Sequence, residues 1–317
     1  MTHCLFKLEF STPVHFGAGD YAHSVESCRM NFAADTLFSA LCNIAVKSGE
    51  IDRLVGLVRE RKLSFSDSFP CKGDEFWLPR PMLTPKIERS GDPSARKKLK
   101  KLAFIPASGF SKYIASLSGN DGFDPDSAIN DFGSFIVTTK AAIGPDEAEP
   151  YSVETFRFNE DCGLWFAVGY ESREDMRFAE RLVRLLGLGG IGGKVSSGYG
   201  KFTLTEVIKP DTAKGSAKSL LSMIGKKGGR YMTLTTACAE DRELDRIVEG
   251  AEYQLVRRGG YAYSEKSDRI MKKQTGYLFA SGSTFTSEFD GGMPDVGISM
   301  PHPVWRYGIP IFIGVDY

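Results

Sequence analysis

The chain has 317 residues, 42% hydrophobic and 25% charged, with 40 basic residues balanced by 40 acidic ones. That length suits about two domains and that composition an ordinary globular protein. Zero formal charge argues against nucleic-acid binding through bulk basicity. No apolar run approaches the ~20 residues that span a bilayer, and the N-terminus lacks the apolar core of a signal peptide, so a cytoplasmic protein with no membrane partner is expected.

"HCLFKLEF" alternates, placing Cys4, Phe6, Leu8 and Phe10 on one face of a strand. The Gly-containing loop "STPVHFGAGDYAHSVESCRMNF" follows. In "AADTLFSALCNIAVKSG", Leu37, Leu41 and Ile44 fall at helical spacing, with Asp35 placed to cap the helix. A short helix over about Ile51–Arg61 precedes two further strands, "LSFSDSFP" and "EFWLPRP".

About 81–150 is expected to be an insertion. It holds a basic run (seven basic against two acidic residues over 86–101, including "KKLKK"), a helix near "PASGFSKYIASL", and a Pro/Asp/Glu-rich tip, "IGPDEAEP". "KKLKK" is suited to RNA or to a partner subunit. Over 119–161 there are ten acidic and two basic residues. "FIVTTKAAIG" and "YSVETFRF" flank the tip as a long hairpin. The strand "LWFAVGY" and the amphipathic helix "SREDMRFAERLVRLLG", capped by Ser172, lead to a glycine loop and the strand "KFTLTEVI".

The order β-α-β-β-insertion-β-α-loop-β predicts an α+β, ferredoxin-like unit with one sheet face for helices and the other for a ligand. The expected division is 1–209 and 210–317, with a linker around 209–229 and a smaller, mostly β second unit. Trp77, Trp165 and Trp305 fall in strand-like stretches and read as core. Six scattered cysteines and four histidines form no clustered ligand set, so neither a metal nor a cofactor is implied.

Seven of the fourteen residues in "GLGGIGGKVSSGYG", 187–200, are glycine. The run matches G-x-G-x-x-G, but a dinucleotide loop leaves a strand and enters a helix, the reverse of the order here. The P-loop pattern fails because Leu188 occupies its first glycine and Val195 its metal-binding hydroxyl position. The remaining expectation is bare backbone that lies against a phosphodiester chain and donates N–H groups to it. Lys194, Ser196, Ser197, Tyr199 and Lys201 would add cations, hydroxyls and one stacking ring. Gly190, Gly192 and Gly193 are the closest-approach positions. Phe16 and Tyr261 are weighed as further stacking rings and read as core. Arg257 and Arg258 in "RRGGYAYS" either clamp phosphates or form an exposed hairpin end.

With this element order and loop position, the chain resembles the RAMP superfamily of CRISPR RNA-binding proteins. "VHFGAG", "ADTLFSALC", "WLPRP", "KKLKKLAFIP", "LGGIGGKVSSGYGKF" and "HPVWRYGIPIFIGV", in that order, are similar to the fourth-subunit family of the Csm (type III-A) complex, of the Cas-five-like group. The resemblance implies a non-catalytic subunit that binds the 5′ tag of the guide RNA. It further implies docking on the large polymerase-palm subunit and on the first RAMP subunit of the backbone filament. A thumb hairpin, here about 138–158, would reach the guide–target duplex, so target RNA is met indirectly. The hairpin's acidic tip leaves Lys140 and Arg157, at its base, as better phosphate candidates.

His15, Gly17, Gly19 and Arg29 lie in the first loop, where related RAMP endonucleases carry a general base. His15 with Tyr21, His23 and Arg29 could supply base, acid and cation for metal-independent RNA cleavage. The alternative is that His15 packs or contacts RNA without chemistry, and binding without cleavage is the expectation.

Overall fold

The computed structural model describes residues 1–17, 25–86, 98–99, 101–119, 122–143, 148–264 and 269–317. In chain order its elements begin with β1 (Thr2–Phe10), β2 (Phe16–Gly17), β3 (Cys28–Arg29), α1 (Ala34–Lys47) and α2 (Ile51–Arg59). Then come β4 (Leu63–Phe65), β5 (Phe69–Lys72), β6 (Glu75–Pro79), β7 (Phe104–Pro106) and α3 (Phe110–Leu117). β8 (Gly133–Ile143), β9 (Ala148–Phe158), β10 (Cys162–Tyr170), α4 (Arg173–Gly189) and β11 (Phe202–Ile208) complete the first half. The second half holds α5 (Gly215–Met223), β12 (Arg230–Thr233), α6 (Asp241–Val248), β13 (Leu255–Arg258) and β14 (Tyr261–Ser264). β15 (Arg269–Lys272), β16 (Gly276–Phe279), β17 (Thr284–Phe285) and β18 (Phe312–Val315) finish the chain.

The main sheet runs β11-β1-β10-β5-β6-β7, with β4 also on β10, and every pairing is antiparallel. Alternation along β1 works as expected: Cys4, Phe6 and Leu8 join the core beneath α1, α2 and α4. α4 starts where the sequence places it, because Ser172 and Asp175 form a reciprocal capping box.

The second sheet face is not open to a ligand. All nine residues of β10 are buried, and Leu5, Trp165 and Ala167 pack there with residues of α3, α5, β12 and β18. Apolar side chains on both faces of a strand need two covering layers. One covering element is α5, whose Ala217 and Leu220 are buried, so the expected linker around 209–229 contains a core helix. The far end of the chain contributes to the first face, beneath α1, as well. Tyr307 is fully buried against Phe38 and Phe65, and its hydroxyl accepts from the Phe65 N–H at 2.7 Å. Trp77 and Trp165 are core, whereas Trp305 is half-buried beneath the Arg59 guanidinium, 3.9 Å from its ring centroid.

Two local expectations are corrected. "LSFSDSFP" is two strands, broken at Ser66–Ser68, because Asp67 turns inward. Its Oδ1 accepts from the N–H groups of Ala34 (2.8 Å) and Thr236 (2.9 Å), and its Oδ2 from the Thr236 hydroxyl (2.6 Å). The start of α1 is therefore served by Asp67, while Ala33 is its N-cap and Asp35 lies inside its first turn. The hairpin also begins earlier than expected, at Gly133. Lys140 accordingly sits well along it opposite Tyr151, not at its base.

Candidate nucleic-acid interface

The glycine loop leaves α4 at Gly190, whose N–H donates to Leu186 O, and folds back on the first strand's exit. Ile191 N–H donates to Gly200 O, Gly193 N–H to His15 O, Gly200 N–H to Pro13 O, and Lys201 N–H to Thr12 Oγ1. These contacts correct the reading of the loop as bare donors held for a ligand. A Cβ at Gly200 would lie 2.0 Å from Ile191 O, and one at Gly192 would lie 2.6 Å from His15 O. Both also have positive φ, +75° and +100°. Gly190 and Gly193 are similarly crowded by Tyr199 O and the His15 ring. The glycine density thus serves close packing of the protein's own backbone.

What the folding-back leaves over is a short donor run. Lys194 adopts a left-handed conformation, φ 60°, ψ 25°. The N–H groups of Lys194, Val195 and Ser196 carry no hydrogen-bond partner among the described residues. Successive amides around a left-handed residue form an anion-binding concavity. Val195, Ser196, Ser197 and Lys201 are exposed around it, and Tyr199 is half-buried.

The hairpin meets this loop through two crossed pairs. Lys194 Nζ donates to the Tyr151 hydroxyl at 3.3 Å and lies 4.8 Å from that ring's centroid. Lys140 Nζ lies 4.8 Å from the Tyr199 centroid. Lys140 and Tyr151 are themselves a cross-strand pair, so strand register sets both contacts. Tyr151 was not singled out from the sequence. Its signal is that register: once β8 and β9 are paired, it is the residue that faces Lys140.

His15 is 3% exposed. Its Nδ1 lies 2.6 Å from Glu154 O on β9, and its ring packs on Gly193. Phe16 is buried against the rings of Phe10 and Phe32. Both residues line one wall of a cleft of about 590 Å³ that also reaches Gly17, Arg29, Gly192, Gly193 and Arg258. Here the structure gathers candidates from three separate stretches of sequence. Gly17 and Arg29 are exposed at its mouth. Gly19, Tyr21 and His23 lie outside the described residues, as does the hairpin tip, 144–147.

Arg258 does not point freely into that cleft. Its Nε donates to Asp35 Oδ2 at 2.9 Å, a second nitrogen donates to Asp35 Oδ1, and the same nitrogen lies 3.1 Å from Thr36 Oγ1. Burial alone would raise the Asp35 carboxyl, but the Arg258 guanidinium, with Lys273 and Arg306 beyond it, holds it below the usual carboxylate range. Arg257 is exposed on β13. Arg157 is exposed on β9 six residues beyond Tyr151, close to the end that carries Phe158, so it is not part of the loop cluster. Lys98 of the "KKLKK" run pairs with Asp126 at 2.8 Å.

Burial pushes the thiols of Cys4, Cys42 and Cys71 up to about 12. Among the described residues no three His, Cys, Asp or Glu side chains converge as a metal site, and no helix is long and apolar enough to cross a membrane.

The model of the RAMP superfamily matches residues 7–203, and that of the CRISPR Csm4 C-terminal domain matches residues 226–315. A Csm4 protein of Mycobacterium tuberculosis (strain H37Rv) is 36% identical over 318 residues, covering 98% of this chain and 97% of that one. The chain belongs to the Csm4 family. Csm4 of Streptococcus thermophilus is 29% identical over 317 residues, 100% of both chains. Among solved structures, a Csm3-Csm4 subcomplex of the type III-A interference complex matches with a TM-score of 0.66 at 17% identity, covering 100% of both chains. A Csm1-Csm4 cassette in complex with cA4 matches at 0.61 and 18% identity, covering 99% of this chain and 98% of that one. At such identities these structures establish likeness of fold.

Proposed function

We propose that this chain is the RNA-binding subunit of a type III-A CRISPR (Csm) effector complex. It binds and caps the 5′ tag of the guide RNA and bridges the large polymerase-palm subunit to the RAMP backbone filament, acting in the cytoplasm. The observation that carries the reading is the run of unpartnered amides at Lys194–Ser196 beside two Lys–Tyr pairs. Amides grip phosphate oxygens, lysines neutralise charge, and the rings offer faces for splayed bases. Membership of the family supports it, and Csm4 chains of similar fold solved with Csm3 and with Csm1 support the partner part.

The scaffold reading goes with this. We take β11-β1-β10-β4/β5 with α1 and α4 as a ferredoxin-like RAMP unit within 1–209, and 210–317 as the smaller second unit. The first unit fixes the loop between α4 and β11, and the hairpin is the thumb.

Binding occurs without cleavage. A general base must reach the 2′-hydroxyl it deprotonates, and His15 is walled in by Gly193 and β9 with Nδ1 already on Glu154 O. Guide RNA affinity of the full chain, measured across a salt series, tests the loop's role. Lys194→Ala with Lys201→Ala lowers affinity and reduces the salt slope by about 0.7 per lost phosphate contact. Unchanged affinity and slope would refute the loop assignment, and a His15-dependent cyclic-phosphate product would refute the absence of cleavage.

A further inference from the structure

β13 pairs with β16 and β14 with β15, two consecutive two-stranded ladders, offset by one residue in register, that make a ribbon at the cleft's rim. Side chains alternate between faces along a strand. Val256, Arg258 and Tyr261 line the cleft, whereas Leu255 and Arg257 alternate to the other face of β13, and both are exposed. Directly across from Arg257 is Tyr277, and directly across from Tyr261 is Lys272. Tyr277 is 66% exposed and Tyr261 63%. Opposed residues of an antiparallel pair share a face with Cβ atoms about 4.5–5.5 Å apart. Each exposed ring therefore stands beside a cation.

The strands of the ribbon carry cations and no carboxylate, while the sequence joining β14 to β15 contains Glu265, Lys266 and Asp268. Residues 255–264 and 269–279 contain Arg257, Arg258, Arg269, Lys272 and Lys273 and no Asp or Glu, in a chain whose formal charge is zero. Exposed tyrosines alternating with cations match a single-stranded polynucleotide, whose bases stack on rings while its phosphates meet the cations. A duplex keeps its base faces internal and offers such a surface phosphates alone.

We propose that the ribbon carrying the Arg257–Tyr277 and Tyr261–Lys272 pairs is a second contact site for single-stranded RNA, separate from the glycine loop. It goes beyond the tag-binding reading and does not depend on it. Sequence reading set Tyr261 aside as core and did not single out Tyr277. The ribbon's exposure places both on the surface.

The test uses the full chain and a fluorescent single-stranded RNA of mixed sequence lacking the guide tag, with a duplex of the same sequence as control. Tyr277→Ala and Tyr261→Ala should each weaken single-strand binding by about 5- to 150-fold, with duplex binding unchanged. Tyr277→Phe, which keeps the ring face, should restore it. Arg257→Ala with Lys272→Ala should flatten the salt dependence. Thiouridine crosslinks should map to the peptide spanning 255–279 and persist when Lys194 and Lys201 are replaced. Crosslinks confined to 187–202 would overturn the ribbon site while leaving the loop reading intact. Alanine variants that bind single strands normally but lose association with a partner subunit would assign the face to protein and overturn it as well.

Discussion

Lys194 on the glycine loop and Tyr151 on β9 are joined twice, by an ammonium–hydroxyl hydrogen bond of 3.3 Å and by the ammonium's position 4.8 Å from the ring centroid. Together with Lys140 over Tyr199, this ties the hairpin to the loop between α4 and β11. Half-exposed contacts of this kind are worth about 0.5–1 kcal/mol each. Tyr151→Ala should therefore change the melting temperature little, by about 2–4 °C at most. It should speed amide exchange along β9, whereas Tyr151→Phe, retaining the ring, should change exchange less. Equal exchange in all three proteins would show that the pair does not hold the hairpin.

Two glycines of the loop separate packing from conformation. A Cβ at Gly200 would meet Ile191 O at 2.0 Å, whereas one at Gly198 meets nothing within 4 Å, although both have positive φ. Gly198→Ala should cost about 1 kcal/mol, the strain of a left-handed alanine. Gly200→Ala should cost more, about 3 kcal/mol, because the Ile191–Gly200 and Gly200–Pro13 hydrogen bonds must open as well. Denaturant midpoints that rank the two variants the other way would contradict the packing account.

Asp67 links three distant stretches through its two oxygens. Asp67→Ala leaves buried N–H groups of Ala34 and Thr236 unpaired and should cost about 2–4 kcal/mol in urea unfolding. Asp67→Asn keeps the oxygen that accepts both, and the Thr236 hydroxyl can turn to accept from the new amide. That variant should lie within about 1 kcal/mol of the parent. Equal losses in the two variants would mean that the carboxylate's charge, not its acceptor oxygen, matters.

Two neighbouring carboxylates should give stability opposite pH dependences. The folded state holds Asp35 below its usual value, through Arg258 and the cations behind it overriding burial. Its contribution is present above the unfolded value of about 3.8 and is lost as pH falls through the lower folded one. Burial raises Asp67 against the opposing hydrogen bonds of Thr236 and Ala34. Its contribution is fully present below about 3.8 and is lost as pH rises through the folded value. Asp35→Asn should thus lower stability at neutral pH and flatten its fall at acid pH, with Asp67→Asn acting in the opposite sense. Parallel acid titrations by thermal unfolding check both signs.

Much of the scaffold was legible because it rests on local rules. Alternation fixed the β1 face, and Ser172, read as a cap, marked the start of α4. The glycine run marked the loop's place but not its use, since its glycines answer to Pro13, His15 and Phe16, far away in sequence. Asp67 was hidden for the same reason: nothing near it announces Ala34 or Thr236 as partners. Asp35 looked like a cap because a carboxylate at a helix start usually is one. Here Asp67 supplies that acceptor, freeing Asp35 to hold Arg258.

The central claim is that the amides of Lys194–Ser196 and the lysines beside them grip the guide RNA backbone. Photocrosslinking the 5′ tag in an assembled particle containing the full chain, followed by peptide mapping, tests it most directly. The account predicts attachment to the peptide spanning 187–202, with partner attachment near Tyr151, and loss of both on replacing Lys194 and Lys201. A tag that crosslinks strongly elsewhere in the particle, with 187–202 protected by a partner protein, would contradict it.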